Sequence, residues 1–144
     1  MNLTETEKAY LAGIFDGEGS VGYYLKGKSG YHTAQVAIYN CDPRVMDWIR
    51  DKVKFGSIST NQKTGKYIGW SWICNSNRQV TEFLTTIRPY LIVKSDQVDL
   101  LLSLRDAEQE IRSEFRLSPE VLALRERTVE QLKLLKTAHF KSIH

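Results

Sequence analysis

Apolar residues recur along the chain in two periods, three-to-four and two, and the switches between them mark the elements. Thr4-Glu5-Thr6-Glu7 has the form of a capping box, with Thr4 as N-cap and Glu7 three residues on. A helix is expected from about residue 5 to Phe15, stopped by the two glycines of Asp16-Gly17-Glu18-Gly19. Alternation then takes over. Residues 20–28 and 31–40 read as strands around Ser29-Gly30, with Ala34, Val36 and Ile38 on one face. Asp42-Pro43 opens a second helix as N-cap and first helical residue. Its apolar positions are Val45, Met46, Trp48, Ile49 and Val53, and Phe55-Gly56 ends it. Residues 57–62 and 66–74 form a second strand pair around Thr64-Gly65. Trp70, Trp72 and Cys74 fall on one face, and Tyr67, Gly69, Ser71 and Ile73 on the other. Helices follow from Asn77 to Ile87, closed by Arg88-Pro89, from near Lys94, with Val98, Leu101, Leu102 and Leu104, and from Ser118-Pro119 to about Thr137, with Leu122, Val129, Leu132 and Leu135. Helix, hairpin, helix, hairpin, helices is an α+β order with a four-stranded antiparallel sheet. No linker or low-complexity segment divides it, so residues 1–144 read as one domain: a core over about 5–104, then C-terminal helices over about 105–140.

Composition adds bounds. With 144 residues, 42% of them hydrophobic, the chain has material for a real core. No apolar run approaches the ~20 residues of a membrane span, and Met1-Asn2-Leu3-Thr4-Glu5 does not open a signal peptide. Cys41 and Cys74 make no disulfide framework, nor, with His32, His139 and His144, a zinc spacing. The expected setting is reducing, intracellular and not secreted, with no membrane or small-molecule partner.

Net charge is only +3, but the placement of charge is informative. Residues 19–41 carry Lys26 and Lys28 and no acid. Residues 52–81 carry Lys52, Lys54, Lys63, Lys66 and Arg78 and no acid. These stretches hold +7, leaving 3 − 7 = −4 for the rest. They read either as ordinary solvation of a sheet face or as a basic surface for phosphates.

Tyr10-Leu11-Ala12-Gly13-Ile14-Phe15-Asp16-Gly17-Glu18-Gly19-Ser20 carries the chemistry. Glycine within a helix costs roughly 1 kcal/mol against alanine. Gly13 is therefore either incidental near a fraying end or the mark of close backbone approach, with Ala9 one turn before it. A helix C-terminus presents unpaired carbonyls and a negative pole, and Glu18 adds a carboxylate. That suits Mg²⁺, which takes one or two carboxylates and fills its shell with water and phosphate oxygens. Two other matches fail. Gly17-x-Gly19-x-x-Gly22 follows a helix and opens a strand, the reverse of a dinucleotide-binding turn. Asp16-x-Glu18-x-Ser20 has Val21 where a calcium loop needs glycine and Gly27 where it needs glutamate.

Leu11-Ala12-Gly13-Ile14-Phe15-Asp16-Gly17-Glu18-Gly19 resembles the nonapeptide of the LAGLIDADG homing endonucleases. Ile38-Tyr39-Asn40-Cys41-Asp42 and Pro89-Tyr90-Leu91-Ile92-Val93-Lys94 resemble two later segments of that family, in order and with sensible spacing. The resemblance implies an αββαββα core with a saddle-shaped sheet that seats in the DNA major groove. It gives Glu18 the essential metal, with the Gly17 carbonyl. Mg²⁺ is implied, and Mn²⁺ or Ca²⁺ fits the same position. Single-motif relatives have aspartate there, so Glu18 reaches one methylene further. Asp16 reads as a capping or bridging acid at the helix end. Asn40 falls where the family has an amide that positions solvent, although asparagine is also common in a turn before a helix. Arg44 and Lys94 match basic positions near the scissile phosphate. Each also has a plain reading, surface solvation for Arg44 and a helix-start lysine for Lys94. Alternation places Ser20, Gly22, Tyr24, Lys26 and Lys28 beside Tyr31, Thr33, Gln35 and Ala37, a face able to read bases and hold phosphates. Lys63, Lys66, Tyr67 and Ser71 join it from the second hairpin.

One motif supplies one catalytic carboxylate, and cutting two strands requires two. The small residues of the first helix, with Ala9, Ala12, Gly13 and Asp16 at the contact, are expected to pack two copies about a two-fold axis, which imposes a pseudo-palindromic target. The sequence thus reads as a homodimeric, intron-encoded, site-specific DNA endonuclease of a bacterial cytoplasm or organelle. The resemblance further implies staggered double-strand cuts with 3′ overhangs. The alternatives are a non-cleaving RNA maturase or DNA-binding regulator of the same fold, and a structural dimeric module.

Overall fold

The structure is a computed structural model that describes residues 1–26, 31–111 and 118–143, without the side chains of Lys26, Lys63, Tyr67 and 139–143. The Ser29-Gly30 turn and Lys28 lie outside the described residues. The elements follow the expected order: α1 (Glu5–Glu18), β1 (Gly19–Lys26), β2 (Tyr31–Asn40), α2 (Pro43–Val53), β3 (Ser57–Lys63), β4 (Lys66–Cys74), α3 (Asn77–Ile87), a 3₁₀ turn (Arg88–Tyr90), α4 (Ser95–Glu110) and α5 (Pro119–Ile143).

Local chemistry explains the boundaries. The Thr4 hydroxyl accepts from the Glu7 amide at 3.2 Å and donates to the Glu7 carboxylate at 3.1 Å, so the capping box forms. Asp42 accepts from the Arg44 amide at 2.9 Å with Pro43 inside the first turn. Thr64 and Gly65 both take positive φ, 53° and 75°, the pair a two-residue hairpin turn requires.

Three helix ends differ from expectation. α1 runs through Asp16 and Gly17 to Glu18 rather than ending at Phe15. Glycine weakens a helix but does not forbid one, and here the Asp16 side chain anchors the last turn from outside. α2 stops at Val53 because Lys54 takes the left-handed conformation, φ 66°, two residues before Gly56. α5 continues past Thr137 to Ile143.

The sheet order is β1-β2-β4-β3, antiparallel throughout, so the inner strand of each hairpin meets the other. The core lies on one face, under α1 to α4. Ala34, Val36, Ile38, Trp72 and Cys74 from the sheet meet Leu11, Phe15, Ile49, Phe83, Leu84 and Val98, all buried. Trp72 fixes the centre: its ring packs on Phe83 at 5.0 Å, and its indole N–H donates to the Phe55 carbonyl at 2.9 Å. Gly56, at φ 81°, lets the chain pass there, since a Cβ would stand 2.5 Å from the indole nitrogen.

Ala12 is corrected by this packing. It is fully buried in the chain's own core and takes no part in the free face of α1. Ala9, Gly13 and Gly17 are exposed, and a Cβ on Gly13 or Gly17 would meet nothing within 4 Å. The close approach that Gly13 implied has no partner within the described chain.

Candidate functional site

The face of the sheet opposite the helices carries Ser20, Gly22, Tyr24, Thr33, Gln35, Ala37, Tyr39, Ser71, Ser59 and Asn61. Pairings of Ser20 with Ala37, Gly22 with Gln35 and Tyr24 with Thr33 match the face expected from alternation. Tyr24 and Tyr31 are about half exposed. The Tyr24 ring lies back over Gly22, filling the place of the absent side chain. Several polar groups are already tied together: Thr33 donates to the Asn75 carbonyl at 3.0 Å, and Asn61 to the Ser71 hydroxyl at 2.7 Å. Asn61 and Tyr39 were not singled out from sequence, although simple alternation places both here. A register shift between Asn61 and Gln62 breaks the alternation, so Tyr67 pairs with Gln62 instead of continuing the Gly69–Ser71 series. Gly69 takes φ 137° at this break, and the Tyr39 hydroxyl donates to the Ile68 carbonyl beside it.

The distribution of basic residues is corrected too. Of the seven bases in the acid-free stretches, Lys52 lies on α2 and pairs with Glu7 at 2.8 Å, Lys54 caps α2, and Arg78 lies on α3. Lys26, Lys63 and Lys66 belong to the hairpins, next to their turns; Lys66 is exposed. Register sets where those turns point. Tyr31 to Asn40 spans nine steps of β2, and Trp70, opposite Asn40, stands four residues after Lys66. At about 3.3 Å per residue the face is roughly 40 Å long with a hairpin tip at each end. Gly19 pairs with Ile38, so Glu18 enters the sheet between the two tips.

Glu18 closes α1. It is exposed, and no hydrogen bond or ion pair within the described residues occupies its carboxylate. Asp16 has the opposite character. Its carboxylate accepts from three successive amides, Ile92 at 2.8 Å, Val93 at 3.2 Å and Lys94 at 3.0 Å. The Lys94 ammonium returns a bond of 2.6 Å to the Asp16 carbonyl. Asp16 is therefore the bridge between the end of α1 and the start of α4, and it brings Lys94 to Glu18. Burial lowers the Lys94 pKa, while the charges of Asp16 and Glu18 oppose that shift.

Asn40, and Arg44 in the turn of α2 that follows it, arrive near the same mid-sheet position, because β2 ends where β1 begins. The Asn40 side-chain oxygen accepts from the Asp42 amide at 2.7 Å, shaping the turn into α2. Arg44 is 88% exposed and folds onto Asp42 in a two-pronged pair, Nε to Oδ1 at 3.0 Å and Nη2 to Oδ2 at 2.6 Å. That guanidinium pulls the Asp42 carboxyl down to about 2.

A metal-binding role can be tested on this donor set. No group of three or more His, Cys, Asp or Glu side chains is gathered among the described residues. What the end of α1 offers is the Glu18 carboxylate, with the Gly17 carbonyl in the same last turn, at the negative end of the helix dipole. This fits an ion held largely by water and phosphate oxygens, as Mg²⁺ is. It does not fit a closed protein cage.

No family model matches the sequence, and no curated protein matches it. Solved structures do. The homing endonuclease I-CvuI, in complex with a DNA target in the presence of Mg, superposes with a TM-score of 0.74 at 17% identity, over 91% of this chain and 82% of that one. The meganuclease I-SmaMI, bound to DNA, gives 0.72 at 15% identity, over 91% of this chain and 46% of that one. The archaeal intron-encoded homing endonuclease I-Vdi141I, complexed with DNA, gives 0.59 at 16% identity, over 86% and 97%. The chain has the LAGLIDADG homing-endonuclease fold. Within that fold, its nonapeptide-like segment forms α1 and the turn into β1, and its free sheet face is the four-stranded platform just described. α5, which the sequence motifs did not reach, lies along the edge of that platform. Its Lys136 donates to the Val21 carbonyl of β1.

Proposed function

We propose that this protein is a homodimeric, metal-dependent, site-specific DNA endonuclease. One observation carries the reading. Asp16 is spent entirely on anchoring residues 92–94, and this leaves the Glu18 carboxylate unpaired beside the Lys94 ammonium at the centre of a long polar face. A purely structural end to α1 has no need of a second, unsatisfied acid next to a half-buried cation.

The parts divide the work as follows. The sheet face, with basic residues near both tips, lies along the duplex and holds backbone phosphates; Gln35, Thr33, Ser71 and Asn61 meet base edges. Glu18 and the Gly17 carbonyl hold a divalent ion. When bound, that ion supplies charge stabilisation at the phosphate and an acidified water. Lys94 offers positive charge to the phosphate as negative charge develops there. Asn40 orients solvent at the end of β2. Arg44, exposed and long, exchanges Asp42 for a phosphate, so Asp42 parks it until substrate arrives.

Two copies complete the enzyme. The exposed face of α1, Ala9, Gly13 and Gly17, lets two helices approach closely, and Tyr10 borders it at 52% exposure. Ile92, at 85% exposure, and Val93, at 58%, extend an apolar margin from the Asp16-bound segment. Packing these faces about a two-fold axis sets two α1 termini, and so two Glu18 carboxylates, side by side. The chain spans 46% of I-SmaMI, which supports a reading in which two copies here do what one longer chain does there. An intron-encoded origin is part of the proposal; I-Vdi141I is described as intron-encoded.

The test is Glu18→Gln. Cleavage is expected to disappear while binding to the same duplex in Ca²⁺ persists. Cleavage at the wild-type rate would overturn the assignment. A tight duplex footprint with no wild-type cleavage would favour a non-cleaving binder of the same fold.

A further inference from the structure

α5 has no place in the site assembled above, yet it reaches it. Val129, Leu132, Lys133 and Lys136 line a cleft with Gly22, Tyr23, Tyr24 and Leu25, so the helix covers the outer edge of β1, an edge strand of the sheet. An edge strand presents unpaired backbone groups, which a covering helix shields from other strands and its side chains can bond. Lys136 does this at one point by donating to the Val21 carbonyl, three residues after Glu18. An ammonium has three protons to donate. The bond to Val21 uses one and leaves two for other acceptors; the residue is exposed overall, with its bonded end partly buried.

A second cation stands close by. Lys94 and Lys136 come from different helices, α4 and α5, and are near enough for the Lys94 charge to add to the effect of burial in lowering the Lys136 pKa. Two ammonium groups held near the start of β1 repel each other, and an anion between them offsets that repulsion. The charges of Asp16 and Glu18 favour the Lys94 ammonium, but the Asp16 carboxylate bonds three backbone amides rather than either ammonium, and Glu18 is the proposed metal ligand. The arrangement suits a ligand bearing its own negative oxygens.

We propose that Lys136 is a phosphate-binding residue of the reaction centre. Anchored on Val21, it holds a backbone phosphodiester oxygen of the DNA strand that Lys94 and Glu18 act on. The inference rests on the endonuclease reading for the identity of the strand, but its evidence lies in α5, outside the motif-bearing segments.

The test uses the full-length protein and a random-sequence duplex pool in Ca²⁺. Each phosphate contact contributes about 0.9 to the slope of log K against log salt. Lys136→Met is expected to make that slope shallower by about 0.9 per chain, roughly 1.8 for a dimer, and Lys136→Arg to restore it. On a cleavable site, Lys136→Met is expected to slow cutting about tenfold, again with recovery in Lys136→Arg. A wild-type measurement covers the case in which Lys136→Met does not fold. Amine acetylation read by mass spectrometry is expected to modify Lys136 in the free protein and several-fold less in the DNA complex. Equal acetylation with and without DNA, or an unchanged salt slope in folded Lys136→Met, would make Lys136 a strut for β1 and overturn the proposal. Wild-type binding without any cleavage would sink the endonuclease reading, while the salt slope and acetylation would still decide the role of Lys136.

Discussion

Removal of the Asp16 carboxylate separates the two halves of the site, and its cost can be worked from the structure. Asp16→Ala leaves three amides, those of Ile92, Val93 and Lys94, without their acceptor. A hydrogen bond to a charged group contributes about 1.5–3 kcal/mol net. The Ile92 and Val93 amides lie in an exposed region, where water replaces much of the loss. The Lys94 amide is partly buried and recovers less. Halving the exposed contributions gives a total loss of about 3–6 kcal/mol, or roughly 10 °C or more in melting temperature for a domain of this size. Asp16→Asn keeps one acceptor oxygen and is expected to lose about half as much. The assay is urea unfolding at fixed protein concentration, with the midpoint falling at constant m-value. Conditions in which both variants remain folded then give the functional readout. Lys94 loses the segment that aims it, so cleavage falls in both variants while Ca²⁺-supported DNA binding is retained. A loss below about 0.5 kcal/mol for Asp16→Ala would refute the bridging role, because three charge-assisted bonds cannot be removed that cheaply if they hold the α4 entry in place.

Further expectations follow from the same geometry. Glu18→Gln removes a carboxylate that favours the charged form of Lys94, so the Lys94 pKa, already lowered by burial, is expected to fall further. A side-chain NMR titration in which it rose or stayed fixed would contradict the adjacency. Gly13→Leu separates two outcomes: if α1 forms the dimer seam, sedimentation is expected to shift to monomer, whereas an unpartnered helix would simply gain up to about 1 kcal/mol from better helix propensity. Gly19→Ala is expected to cost about 1–3 kcal/mol, since a Cβ there would stand 2.5 Å from the Phe15 carbonyl oxygen; a thermal melt equal to wild type would show that α1 can end otherwise. Asp42, held at about 2 by Arg44, is expected to remain ionised through mildly acidic conditions, and a chemical-shift titration with a midpoint near an ordinary carboxylate value would show that the pair does not persist in solution.

The fold was legible from sequence because its signals are local. The Thr4 capping box, Asp42-Pro43, Thr64-Gly65 and the period-two runs each fix a boundary through short-range chemistry. The expected end of α1 failed for a long-range reason: Asp16 is tied to residues 92–94, a contact that no window around Gly17 can report. Ala12 was assigned to a seam because it is small and near Gly13, yet neighbours on a helix point about 100° apart, and that turn takes Ala12 into the core while Gly13 stays exposed. The charge argument weakened in the same manner. Lys52 belongs to an acid-free stretch in sequence but meets Glu7 in space. Motif resemblance singled out Glu18 and Lys94, which the fold brings near one another midway between the hairpin tips, whereas Lys136 enters from a helix with no motif to announce it.

The central claim is most directly tested by incubating the wild-type protein with Mg²⁺ and a randomised duplex library and sequencing the new ends, with Glu18→Gln in parallel. The account predicts cuts in both strands at staggered positions within a pseudo-palindromic sequence, absent from the Glu18→Gln reaction. Ends no more frequent with wild type than with Glu18→Gln, from library members that the wild-type protein demonstrably binds, would contradict it.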